Sequence, residues 1–212
     1  PAIIKEDGSV QKPAHISCPL SEIFTDTKVG EPVLLDDGKI EGFLEEKKHD
    51  ELVVRISWAD DKGSTLRADK GINLPESTLN LRGLTDKDKE DLEFVTTYAD
   101  VVNVSFVNTT EDVEDIKNAL KKIDGTHLGV ILKIETKQGY RNLPEILLKA
   151  MQMHPIGVMI ARGDLAVVVG WQKLAEVQEE IRKRCSAGHI PAIWDTHGLE
   201  YEAKNGGPSR GG

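Results

Sequence analysis

The stretch Leu128-Gly129-Val130-Ile131-Leu132-Lys133-Ile134-Glu135 decides the fold. Leu128 to Ile134 is almost wholly apolar and too short for an independent helix. A run of this length and character reads as a parallel strand covered on both faces. Its far end breaks the pattern. Period-two alternation puts Lys133 and Glu135 on one face and Leu132 and Ile134 on the other. An ammonium and a carboxylate in an otherwise apolar strand are costly unless paired or bound to something. The same run therefore marks both a central strand and a candidate site.

Working outward, comparable runs occupy Val101 to Val107, Ile156 to Ala161 and Pro191 to Trp194. The four strand starts, near residues 101, 128, 156 and 191, are spaced like successive strand-helix units joined by right-handed crossovers. Thr85 can cap a helix carrying Leu92, Val95 and Ala99, and another, capped near Thr110, carries Val113, Ile116 and Leu120. Asn142-Leu143-Pro144-Glu145 reads as a capping box opening a short helix to about Met151. Leu174, Val177 and Ile181 mark a further helix, followed by Gly188. The spacing predicts an α/β parallel sheet, either open and doubly wound or part of a barrel. No GxGxxG or GxxxxGK[ST] follows any strand, so neither nucleotide fold associated with those motifs has support.

Residues 1–74 have a different rhythm and read as a β domain, with 75–212 as the α/β domain. Short runs at Val33-Leu34-Leu35, Ile40 to Leu44 and Leu52 to Trp58 are separated by Asp36-Asp37-Gly38, His49-Asp50 and Asp60-Asp61-Lys62-Gly63. Such turns supply the positive φ that hairpins need. Pro1 to Pro13 shows little periodicity and is weakly specified.

The 212 residues carry 27 basic and 36 acidic side chains, a formal net charge of -9, which argues against sequence-independent nucleic-acid binding. No window approaches the roughly 20 apolar residues that span a bilayer, which predicts no membrane partner. Cys18 and Cys185 form neither a disulfide framework nor a CxxC pair, so a reducing, cytoplasmic setting is expected.

Active sites of parallel α/β folds gather at the carboxyl ends of the strands. There Glu135 is matched by Asp164, just past the third strand in Met159-Ile160-Ala161-Arg162-Gly163-Asp164-Leu165. Two adjacent carboxylates repel each other unless a cation lies between them, and hard oxygen ligands suit Mg²⁺. Gly163 is expected to turn the backbone sharply, so that the amides opening the next segment hold an anion. Lys133 beside the pair would neutralise a transferring phosphoryl group or an enolate. Ser105 and Asn103 face the same way on the first strand, and Thr196 and His197 follow the fourth. The ordinary reading is a structural Lys133–Glu135 ion pair with a surface turn at Arg162-Gly163-Asp164. The histidines lack the HxxxH or HxH spacing of a zinc site. Trp58, Trp171 and Trp194 read as packing, and the charged residues from Glu176 to Arg184 as a solvated helix face.

These residues also carry a resemblance. Asp36-Asp37-Gly38-Lys39-Ile40, Lys70-Gly71-Ile72-Asn73-Leu74-Pro75, Leu84-Thr85-Asp86-Lys87-Asp88, Ser105-Phe106-Val107, Lys133-Ile134-Glu135 and Met159 to Leu165 occur in the order of the pyruvate kinase family. Each motif is weak alone, but together and in register they are specific, and they resemble divergent bacterial members most. The resemblance implies a partial TIM-type (β/α) barrel with an inserted small β-barrel lid. The chain would carry the lid and the fourth to seventh strand-helix units, with the first three strands and the eighth outside it. It implies phosphoryl transfer from phosphoenolpyruvate to ADP, giving pyruvate and ATP, with Mg²⁺ and K⁺ as cofactors in a homo-oligomer. Glu135 and Asp164 would be the Mg²⁺ ligands, and Lys133 the cation at the phosphoryl group and enolate. Ala161, Arg162 and Gly163 would hold the substrate carboxylate, Ser105 would line the site, and Thr196 would cover the enolate face. Against the family pattern, Asn108 replaces an arginine, Thr136 an asparagine and Val168 a glutamate, while Asp195-Thr196-His197 replaces Ala-Thr-Gln. A Mg²⁺-dependent pyruvate-binding aldolase or lyase and an inactive regulatory paralogue are the competing readings.

Overall fold

Alternation governs the first half of the chain. A computed structural model describes residues 3–7, 9–61, 63–67, 70–79 and 83–195. In it β1 (Ile3–Ile4) and β2 (Val10–Lys12) pair as an antiparallel hairpin. The weakly specified stretch before Pro13 thus carries a short hairpin. The Asp7 carboxylate accepts the Ser9 amide at 2.8 Å and its hydroxyl at 2.6 Å, so local turn chemistry makes the hairpin without any hydrophobic period. After α1 (Glu22–Asp26), a helix that the period-two reading passes over, come β3 (Pro32–Leu35), β4 (Ile40–Lys47), β5 (Leu52–Ala59) and β6 (Ile72–Asn73). These form an antiparallel sheet ordered β5-β4-β3-β6. Its core is Val33, Leu35, Ile40 and Leu44, with Leu52, Val54, Leu66, Ile72 and Leu74 packed against them. The β3–β4 turn runs left-handed through Asp36 (φ 51°), Asp37 (φ 57°) and Gly38 (φ 81°). Aspartate tolerates that region better than most residues. Lys39 at 3.2 Å and Lys70 at 2.9 Å hold the Asp36 carboxylate.

The second half alternates helix and strand. Its elements are α2 (Asp86–Tyr98), β7 (Val101–Val104), α3 (Thr110–Lys122), β8 (Gly129–Ile134), α4 (Lys137–Arg141), α5 (Leu143–Ala150), β9 (Ile156–Ile160), α6 (Arg162–Val169), α7 (Trp171–Ala187) and β10 (Ala192–Trp194). The four strands form one parallel sheet ordered β10-β9-β8-β7. Thr85 and Asp88 close a capping box on α2, and Thr109 and Asp112 close one on α3, each satisfying amides that the first helical turn leaves unpaired.

Burial differs between the two sides of this sheet. Val104, Leu132, Ile134, Val158 and Ile160 are buried against helix residues such as Val113, Ile116, Ile146, Leu174 and Ile181. Ile131, Lys133 and Met159, on the opposite side, are half-buried. The expectation of strands covered equally on both faces is thus met on one face only. Helices gathered on a single face suit (β/α) barrel units rather than a doubly wound sheet.

Two local expectations are corrected. Asn142 does not cap α5 with its side chain; its amide donates instead to the Asn108 carbonyl at 2.8 Å, a partner distant in sequence. Gly163 makes no sharp turn but lies in the first turn of α6, whose cap position is Ala161. Among the described residues, no helix is long and apolar enough to cross a membrane.

Candidate functional site at the carboxyl ends of β7, β8 and β9

The register of the parallel sheet brings the site together. Lys133 lies opposite Met159 and Ile134 opposite Ile160, while Leu132 pairs with Val104. The residues just beyond these pairs, Ser105, Glu135 and Ala161, therefore arrive at one rim. Lys133 Nζ meets Glu135 Oε1 at 2.7 Å and donates to Ser105 Oγ at 3.1 Å. The other Glu135 oxygen, Oε2, accepts the Phe106 backbone amide at 2.6 Å. Glu135 is 3% exposed, so without these partners its charge would be buried at high cost.

Phe106, whose amide Glu135 accepts, adopts φ 55°, a left-handed conformation unfavourable for a bulky side chain. Its ring stands 56% exposed, so side-chain burial does not hold it there. Contacts on either side hold the loop instead. The Asn108 and Thr109 amides donate to Asp112 Oδ2 at 2.8 and 2.9 Å, and Asp112 Oδ1 accepts the Gly83 amide at 3.0 Å. The Thr136 hydroxyl donates to Asn108 Oδ1 and accepts the Gly139 amide at 3.0 Å, capping α4. At Gly139 the backbones approach so closely that a β-carbon would sit 2.6 Å from the Val107 carbonyl oxygen.

Asp164 is placed by α6, in the first turn, where a carboxylate complements the helix dipole. Burial pushes its carboxyl above the ordinary range; the Lys133 charge pulls the other way, and Asp37 and Asp195 add to the upward push. For Lys133, burial opposes the charge. The Glu135 hydrogen bond and charge, with Asp164 and Asp195 behind them, outweigh it and raise the ammonium above its usual value. Glu135, Asp164 and Asp195 thus surround Lys133 with negative charge, to which Asp37 adds at Asp164, an environment that a hard divalent cation would neutralise. Among the described residues no three acidic, histidine or cysteine side chains converge as a ready metal cage, so water or substrate oxygens would complete such a coordination shell.

Ala161 is fully buried, and its amide donates to the Ile134 carbonyl at 3.3 Å, tying the start of α6 to the end of β8. The amides of Arg162, Gly163 and Asp164 open α6 and suit an anion. The Arg162 guanidinium lies 5.7 Å from the Trp194 ring centroid. Thr196 and His197 lie outside the described residues. The sequence reading gathered Lys133, Glu135, Asp164, Ser105 and Ala161 to Gly163, and the structure places them around this rim. It missed the Phe106 amide and the reach of Asp37. The joint departure of Asn108 and Thr136 from the family pattern was the available signal for a rebuilt loop.

The family described as pyruvate kinase, barrel domain, matches residues 4–212. The chain is 34% identical over 199 residues to the pyruvate kinase of Geobacillus stearothermophilus, covering 93% of this chain and 33% of that protein. It is 32% identical over 211 residues to that of Bacillus licheniformis, covering 98% and 34%. With the pyruvate kinase of Clostridium perfringens it shares 31% over 199 residues, covering 92% and 40%. The chain thus spans 33% to 40% of the length of these relatives.

Proposed function

This chain belongs to the pyruvate kinase family, and we propose that the protein carrying it transfers a phosphoryl group from phosphoenolpyruvate to ADP, giving pyruvate and ATP. The observation that carries this reading is the Lys133–Glu135 pair, buried at a strand end beside the opening turn of α6. In this reading Lys133 Nζ supplies positive charge to the phosphoryl group in transit and to the enolate left behind. The amides of Arg162 and Gly163, with the buried Ala161 backbone behind them, hold the substrate carboxylate, and Ser105 keeps Lys133 in place from the β7 side. Thr196 is assigned to the enolate face by the family resemblance alone. Glu135 and Asp164 would hold Mg²⁺, which when bound supplies electrostatic neutralisation of the phosphoryl oxygens. K⁺ is expected from the family. The excess of carboxylates around Lys133 supports a divalent cation here.

The same reading assigns residues 1–74 to a lid over the strand ends and 75–212 to the fourth to seventh units of a (β/α) barrel. The influence of Asp37, in the β3–β4 turn, on the Asp164 carboxyl supports that assignment. A cytoplasmic homo-oligomer completes it.

The test is turnover of phosphoenolpyruvate with and without ADP, read through lactate dehydrogenase, for the wild type and for Glu135→Gln and Lys133→Met. We expect ADP-dependent pyruvate formation that each variant reduces by at least ~100-fold. Oxalate should also raise the melting temperature only with Mg²⁺, and not in Glu135→Gln. ADP-independent pyruvate release, or no turnover together with no Mg²⁺-dependent oxalate shift, would overturn the proposal.

A further inference from the structure

Asn108 and Thr136 are hydrogen-bonded to each other across the ends of β7 and β8, and neither touches Lys133, Glu135 or Asp164 directly in any described contact. The pair continues on both sides. Thr136 caps α4 through the Gly139 amide, and Asn142 donates to the Asn108 carbonyl at 2.8 Å. Asn108 thus takes one bond at its side chain and one at its backbone carbonyl, both from the β8–α5 segment. Two residues before it, Phe106 holds its left-handed conformation, and one residue before that, Ser105 takes a bond from Lys133. The strained residue is pinned on both sides. Left-handed backbone in a bulky residue persists only where its surroundings over-determine it.

We infer that Asn108, Thr136 and Asn142 form a latch that holds Phe106 in this conformation, so that its amide fixes the Glu135 carboxylate. These three are positioning residues. With Oε2 bound to the Phe106 amide and Oε1 to Lys133, both carboxylate oxygens are anchored and each keeps accepting capacity for a cation. Freed from the amide, Glu135 could rotate about its terminal torsion, which is soft, and present a divalent ion with a spread of geometries. The latch joins two positions that both depart from the family pattern. It rests on the reading of Glu135 and Asp164 as divalent-cation ligands only for its consequence, since the latch itself is a statement about the Phe106 amide.

Two measurements test it on the purified protein. The first, made without metal, is hydrogen exchange of the Phe106 amide. Asn108→Ala and Thr136→Val should speed it while the β8 amides of Val130 and Leu132 stay protected, and Thr136→Ser, which keeps the hydroxyl, should not. The second is Mn²⁺ affinity. Each latch-breaking variant should weaken it by ~10-fold, the scale expected for outer partners of a ligand. Adding Phe106→Gly to Asn108→Ala should restore part of that loss, because glycine enters the left-handed region without strain. A latch that only stabilised the fold would gain nothing from the added glycine. Unchanged Phe106 exchange in Asn108→Ala and Thr136→Val overturns the latch whatever the metal does. Faster exchange with unchanged Mn²⁺ binding overturns its role in the site. Mn²⁺ binding unaffected by Glu135→Gln refutes the ligand reading instead, leaving the exchange result to decide the latch.

Discussion

The two four-stranded sheets use the same chemistry to different depth. In β4 the burial alternates strictly, with Ile40, Gly42 and Leu44 buried and Glu41, Phe43 and Glu45 exposed. Neighbouring β5 leaves Ile56 and Trp58 48% and 54% exposed. In β8 the alternation is between buried and half-buried, and Leu132 and Ile134 are fully excluded from solvent. An antiparallel strand with one covered face commits half of its residues to a core. A strand between two parallel neighbours and under a helix layer has few positions left for solvent. The polar exceptions, Lys133 within β8 and Glu135 just past its end, are therefore more conspicuous than any charge in β4 or β5. The deeper sheet is where an ionisable pair carries information.

This comparison can be broken most directly by core truncation. Leu132→Ala should destabilise the parallel half by ~4 kcal/mol, whereas Leu44→Ala, in a smaller cluster with more room to relax, should cost ~2 kcal/mol. Urea denaturation measures both, and hydrogen exchange should show the Leu44→Ala effect confined to β3 to β6. Equal costs with exchange spread over both sheets would mean that the two share one cooperative unit.

A smaller effect depends on pH. Cys185 is fully buried in the core of α7, and burial alone pushes its thiol from an ordinary 9.0 up to about 11. The folded protein therefore holds this proton more tightly than the unfolded chain does. Stability tied to this group is complete below pH 9 and is lost as pH rises toward 11. The loss should reach roughly 2 to 3 kcal/mol, since each tenfold difference in proton affinity between folded and unfolded chain is worth about 1.4 kcal/mol. Comparing urea midpoints of the wild type and Cys185→Ala at about pH 8 and about pH 10.5 isolates it: the variant should lose less on going alkaline. The buried thiol should also resist alkylation in the folded protein at the lower of these two pH values.

The smallest expected effects come from lysine-paired carboxylates, one in each half. Lys149 at 2.6 Å and Lys117 at 3.0 Å hold the Glu114 carboxyl down to about 2. Lys70, then Lys39, lower that of Asp36 in the other half. A depressed carboxyl stabilises above its unfolded value and loses that contribution as pH falls through the folded one. Glu114→Gln and Asp36→Asn should each flatten the acid side of the stability profile slightly, between pH 4.5 and 2 for Glu114. Solvent screening keeps the Glu114 effect small, and the buried Asp36 should show the larger of the two. A large loss in Glu114→Gln at neutral pH would show that its lysine pairs do more than decorate the surface.

Much of the fold was legible because its signals are periodic. The apolar runs at β7 to β10, their spacing, and the stripes Val113-Ile116-Leu120 and Leu174-Val177-Ile181 all follow from helix and strand repeats. The short helices α4 and α6 were not legible. Each carries a glycine, Gly139 or Gly163, and α6 opens on Ala161, which offers no capping side chain. Asn142 looked like a cap because its type is right, but a carbonyl distant in sequence competes for its amide. Within the site, Lys133 and Glu135 were visible because charge interrupts an apolar run. The Phe106 conformation was invisible, since no local preference leads phenylalanine to the left-handed region. It is imposed by contacts from β8 and α4 that only the folded chain assembles.

Gly139 sets how much change this corner of the molecule can absorb. A single added methyl would collide with the Val107 carbonyl oxygen, and that carbonyl belongs to the residue immediately after Phe106. Variation at position 139 is therefore transmitted through backbone displacement to the amide facing Glu135. Even alanine, conservative by size and polarity, would displace the loop whose amide faces the carboxylate.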